Sequence, residues 1–144
     1  MALVVQKYGG TSVGNIDKIA NVARKVIRTK KAGNDVVVVL SAMSGETDRL
    51  LQLAQKAAEE PDPRECDSLV STGEQITVAL LAIMLNSMGH PAKSFLGFQV
   101  PILTDQAYKK ARILSVGTEM IRAELQKGTI VVVAGFQGID TEHN

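Results

Sequence analysis

VVVVLSAMSGETD, Val36–Asp48, is the stretch that decides how this chain folds. Val36 to Leu40 is an unbroken apolar run with no alternation, which suits a central parallel strand covered on both faces better than a strand half exposed to water. The polar residues Ser41 to Asp48 then lead into a helical stripe, Leu50, Leu51, Leu53, Ala54 and Ala57, that stops at Glu59-Glu60-Pro61. The unit is strand, loop, helix. The same unit stands upstream. Leu3 to Gln6 reads as a buried strand entering a tight turn at Gly9-Gly10, and Ile16, Ile19, Ala20, Val22, Ala23, Val26 and Ile27 form a helical stripe, capped by Asn15 and closed by Lys30, Lys31 and Gly33. Downstream, Pro61 and Pro63 bracket an exposed connector, and Leu69 to Leu85 is helical in character but predicted to begin or break at Ser71-Thr72-Gly73. Ala92 to Leu96 and Thr129 to Ala134 read as further strands, with a short amphipathic helix near Thr118 to Lys127 and a minor strand at Ile113 to Ser115. Strands alternating with helices predict an α/β fold, a three-layer α/β/α sandwich around a mostly parallel sheet with right-handed crossovers.

Composition narrows the function classes. At 144 residues, 45% hydrophobic and 22% charged, the chain is long enough for one domain with a core of its own and too apolar to be disordered. The net charge is +1 with basic residues scattered, so no electrostatic stripe for nucleic acid is present. Cys66 is the single cysteine and cannot form an internal disulfide; we expect a half-buried bystander. The start MALVVQKYGG lacks the pattern of a signal peptide, and the most apolar window, Ile76 to Leu85, is about half the roughly 20 residues that cross a bilayer. These readings place the protein in the cytoplasm, with neither nucleic acid nor membrane as partner.

In open parallel sheets ligands bind at the carboxyl ends of the strands. The first predicted strand delivers Lys7, Gly9, Gly10, Thr11 and Ser12, the second Ser41, Gly45 and Thr47, and the last Gly135 and Gly138. KYGGTSVG, Lys7–Gly14, offers bare backbone amides, a following helix N-terminus and a lysine, which together suit a phosphate. It is neither a Walker A loop, since Asn15-Ile16 stands where Lys and Ser or Thr belong, nor a dinucleotide fingerprint, since Thr11 replaces the second glycine. Alone, it reads equally well as a tight turn with a surface lysine. LVSTGEQ, Leu69–Gln75, places Glu74 where it can pair with a ligand ammonium, or simply makes an N-cap of Ser71 or Thr72. Ser41, Ser44 and Thr47 taken singly are ordinary turn and cap residues. His90 and His143 have no partner in sequence for metal or acid-base work.

Together, KYGGTSVG, LSAMSGETD (Leu40–Asp48), LVSTGEQ and VVVAGFQG (Val131–Gly138) resemble the aspartokinases in order and spacing, from Leu3 to about Gly138. The KxGGTSxG and SxGE patterns separate that family from the acetylglutamate, glutamate and uridylate kinases of the same amino acid kinase fold. The resemblance implies ATP-dependent phosphorylation of L-aspartate on its side-chain carboxylate, the first step toward lysine, threonine and methionine. Lys7 would be catalytic, contacting the transferring phosphoryl group; Gly9, Gly10 and Gly135 would line the phosphates; Ser41 and Thr47 would hold acceptor or phosphate oxygens; Glu74 would pair with the α-ammonium. The implied partners are ATP, its Mg²⁺ carried by the nucleotide, and aspartate, with no metal site on the chain itself. Family members continue into a nucleotide-binding half and regulatory domains. The resemblance therefore casts residues 1–144 as the N-terminal, amino-acid and phosphoryl part of a catalytic domain, inactive alone and prone to self-association or homo-oligomerisation. Two readings stand beside it: a kinase of the same fold for another small carboxylate, and a non-catalytic binding or assembly module.

Overall fold

In the computed structural model, which describes residues 1–140, the chain opens with strand β1 (Leu3–Tyr8), one 3-10 turn (Gly10–Val13) and helix α1 (Ile16–Lys31). The Asn15 side chain accepts from the Lys18 amide at 2.9 Å and starts α1, whose Ile19, Val22, Ala23, Val26 and Ile27 form one buried stripe. There follow β2 (Asp35–Leu40), α2 (Glu46–Ala57), α3 (Pro63–Ser87), β3 (Ala92–Phe95), β4 (Ile102–Thr104), β5 (Ile113–Val116), α4 (Glu119–Gln126) and β6 (Ile130–Ala134).

The main sheet has the order β1-β2-β6-β3, and every neighbouring pair is parallel. The uninterrupted valines of β2 and β6 serve both faces. Val36, Val38, Leu40, Ile130 and Val132 pack against α1 and α3, while Val37, Val131 and Val133 join Phe95 and Leu125 on the opposite face, under α4. α2 stacks on α3 rather than on the sheet. The three-layer expectation therefore holds, with β4 and β5 added as a separate antiparallel ribbon.

Several local expectations need correction. β1 is an edge strand: Leu3 and Val5 are 57% and 61% exposed, because α4 covers β6 and not the outer flank of the sheet. α3 runs unbroken through Ser71-Thr72-Gly73. Its start lies earlier, at Asp62, whose carboxylate accepts from the Arg64 and Glu65 amides, with Pro63 in the first helical position where its missing N–H costs nothing. Ser71 and Thr72 are thus not caps; each hydroxyl donates to a carbonyl one turn back, Ser68 and Leu69. At 25 residues α3 is long and apolar enough by composition to cross a membrane, yet its Val78, Leu81 and Leu85 lie in the core beneath the sheet. Cys66 is buried, and β4 had no sequence signal beyond Ile102-Leu103-Thr104 after Pro101. His143 lies outside the described residues.

Phe95 is fully buried and Phe98 is 64% exposed. In urea unfolding, Phe95→Ala should therefore cost about 3–5 kcal/mol, whereas Phe98→Ala should stay within about 0.5 kcal/mol of wild type. Equal losses would contradict this packing.

Candidate active site

Parallel pairing brings the carboxyl ends of β1, β2 and β6 to one edge, where backbone hydrogen bonds stitch the departing loops together. The Ser41 amide donates to Tyr8 O at 3.2 Å, the Ser44 amide to Gly10 O at 3.2 Å, and the Gly135 amide to Leu40 O at 2.9 Å. Two glycines allow this closeness. A Cβ on Gly10 would lie 2.8 Å from Ala42 O, and one on Gly135 would lie 2.8 Å from Val39 Cγ1. The β2 exit turns through Gly45 at φ +80° into α2, where the Glu46 amide donates to Met43 O and no side chain caps the helix, so its N-terminus lends a partial positive charge to this edge.

α3 closes the site from beside the sheet. Gly73 lets it approach, since a Cβ there would stand 3.2 Å from both Ala42 Cβ and Glu46 Cγ. The next residue, Glu74, is only 5% exposed, and its Oε2 accepts from the Phe136 amide at 2.8 Å. Burial pushes the Glu74 carboxyl above the usual carboxylate range; the Phe136 amide and the nearby Lys7 ammonium pull it back without cancelling that rise. Gly10, Ser41, Thr47, Ser71, Glu74 and Phe136 border one cavity of about 320 Å³.

Ser41, Thr47, Glu74 and Gly10 are therefore brought together as the sequence reading expects. Lys7 lies outside the cavity wall but close enough to act on Glu74, and Gly9 beside it faces open space, with nothing within 4 Å of where its Cβ would be. Gly135 is not in this cavity. It lines a second cleft of about 600 Å³ with Gly138 and Phe98, and Phe136 stands between the two. The sequence reading missed Phe136 and Ser71: the GFQG motif was in view, but nothing in it says that a backbone amide, not the ring, meets Glu74. Chemically, the cavity offers a buried carboxylate for a cation and hydroxyls and amides for oxyanions, with Lys7 just beyond its wall.

Residues 2–144 match the amino acid kinase family. An aspartate kinase of Pseudomonas putida is 59% identical over 143 residues, covering 99% of this chain and 34% of that protein. The crystal structure of an aspartate kinase from Synechocystis superposes with a TM-score of 0.81 at 44% identity, over 99% of this chain and 23% of that one. Escherichia coli aspartokinase III, solved with aspartate and ADP, gives 0.86 at 22% identity over 100% of this chain and 42% of that one, a likeness of fold. The chain thus spans about a third of the length of the curated relatives it matches.

A carboxyl raised in the fold binds more protons folded than unfolded between its ordinary and its raised pKa, so stability is lost as pH rises through that window. Glu74→Gln keeps an oxygen for the Phe136 amide and removes the titration. The unfolding free energy of wild type minus that of Glu74→Gln, from urea titrations between acidic and neutral pH, should fall as pH rises. A pH-independent difference would mean that Glu74 ionises like an exposed glutamate.

Proposed function

Because the chain belongs to the amino acid kinase family, we propose that residues 1–144 form the acceptor and phosphoryl side of an aspartate kinase. The reaction would move the γ-phosphoryl group of ATP to the β-carboxylate of L-aspartate, giving 4-phospho-L-aspartate. The observation that carries this reading is Glu74, a buried carboxylate sharing one small cavity with Ser41 and Thr47. A desolvated carboxylate is costly to keep charged, and an incoming α-ammonium offsets that cost. An N-acylated amino acid brings a neutral amide instead, and so would leave the charge on Glu74 unmatched. That favours a free amino acid as acceptor over the acetylated substrates of related kinases.

In this reading Ser41, Thr47 and the amides at the start of α2 hold acceptor oxygens, and Gly9 and Gly10 offer amides to the transferring phosphate. Lys7 is the catalytic group and offsets the charge that develops as the phosphoryl passes. Gly135 borders the phosphates from the neighbouring cleft. No general base is needed, because the attacking carboxylate is already ionised at neutral pH, and phosphoryl transfer rests on alignment and charge neutralisation. Among the described residues, no three His, Cys, Asp or Glu gather to hold an ion. In this reading Mg²⁺ comes bound to the nucleotide phosphates. The same reading places the protein in the cytoplasm, at the entry from aspartate toward lysine, threonine and methionine. The bare outer flank of β1 supports contact with further chain or with a second copy.

Calorimetric titration with L-aspartate tests the reading. Glu74→Ala should weaken binding about tenfold or more, the effect of removing a charged hydrogen-bond partner. Arg24→Ala, exposed on α1, should bind as wild type does. N-acetyl-L-aspartate binding as tightly as aspartate, or Glu74→Ala binding normally, would sink it.

A further inference from the structure

The Glu74 carboxylate is held by the amide of a residue that does little to hold itself. Phe136 is 81% exposed, so side-chain packing does not fix its backbone. Its position must come from its neighbours. On one side the Gly135 amide is tied to Leu40 O at 2.9 Å. On the other, the Gln137 side chain donates from Nε2 to Ser71 O at 2.6 Å and accepts at Oε1 from the Gly97 amide at 3.2 Å. Only this orientation of the amide satisfies both partners, since a carbonyl accepts and an N–H donates. Ser71 lies one helical turn before Glu74, so residues 136 and 137 grip the same face of α3 at successive turns. The fit around Gln137 is tight as well: a Cβ on Gly97 would come within 2.9 Å of Gln137 Cβ. Beyond it the strap continues, the Ile139 amide donating to Ile102 O at 2.9 Å and the Thr104 amide to Ile139 O at 2.7 Å.

We propose that Gln137 is a positioning residue: its amide locks the loop after β6 to α3 and to the loop after β3, and so keeps the Phe136 N–H on the Glu74 carboxylate. The importance of this for acceptor binding rests on the assignment of Glu74 to the ammonium. Gln137 touches neither the acceptor cavity nor Glu74 itself and acts through its neighbour. The other charge bearing on that carboxylate, Lys7, comes from β1 and is independent of this clasp.

The test uses two variants that break the clasp differently, Gln137→Leu by removing the amide and Gly97→Ala by displacing it. Hydrogen exchange of the Phe136 amide should speed up about tenfold in each, the factor for one lost hydrogen bond to a charged group, while exchange in β2 and β6 stays slow. L-aspartate affinity should fall by a similar factor. Carbon-13 titration of the Glu74 carboxyl should move upward, a shift that general loosening elsewhere would not produce. If either variant folds and keeps both the Phe136 exchange rate and the Glu74 titration of wild type, the proposal is overturned. If both change but wild type binds no aspartate, the clasp stands and the ammonium assignment fails.

Discussion

β2 and β6 lie side by side at the middle of the sheet, parallel, and most of their residues are buried; nearly everything else follows from that constraint. Strands covered on both faces must find every backbone partner in the sheet, and parallel neighbours can be joined only by long crossovers. Helices α1, α3 and α4 therefore fill the two faces, and the four strands of this sheet end at the same edge. The bond from the Gly135 amide to Leu40 O extends the pairing one step past the last β6 residue, so the two central loops leave in register. Gly10 and Gly135 mark where that register is too close for a side chain.

What gathers at this edge is a division of labour between backbone and side chain. In the proposed reading, oxyanions would meet amides, hydroxyls and Lys7, and a cation would meet Glu74. The carboxylate is placed by α3, a rigid element, at the cost of desolvation that the fold offsets only in part through Phe136 and Lys7. A site held in that state is prepared for a positive group before any ligand arrives, which is how a preorganised site gains selectivity.

Much of this was legible in the residues. VVVVL announced a central strand because nothing in it is polar on either side, and the Asn15 cap and the α1 stripe obey local rules. The nearness of Ser41 and Thr47 followed from a strand end, whereas Glu74, on a helix, was joined to them only by the family resemblance. Failures came where tertiary contact overrides local preference. Gly73 looked like a break, but it is the point where α3 meets Ala42 and Glu46; the true start was written at Asp62-Pro63. Leu3 and Val5 looked like core because they are apolar, although only position in the sheet decides whether a strand has one neighbour or two. Gly135 was placed at a strand end as expected, but its sequence did not show that it would face the cleft beyond Phe136 instead of the cavity of Glu74. The clasp made by Gln137 left no trace in sequence, because its partners are a carbonyl and an amide, which every residue carries.

The strand that bears Lys7 is hydrogen-bonded along one side only, to β2, among the described residues. Its carboxylate counterpart is anchored in mid-helix. The two charges thus stand on different supports: one on an edge strand of the sheet, the other on a helix packed against its core. During a group transfer the migrating phosphorus travels between oxygens while its escort must keep pace. In the proposed transfer, an ammonium on an edge strand would be free to adjust with that journey while a carboxylate on a core helix keeps the acceptor in place.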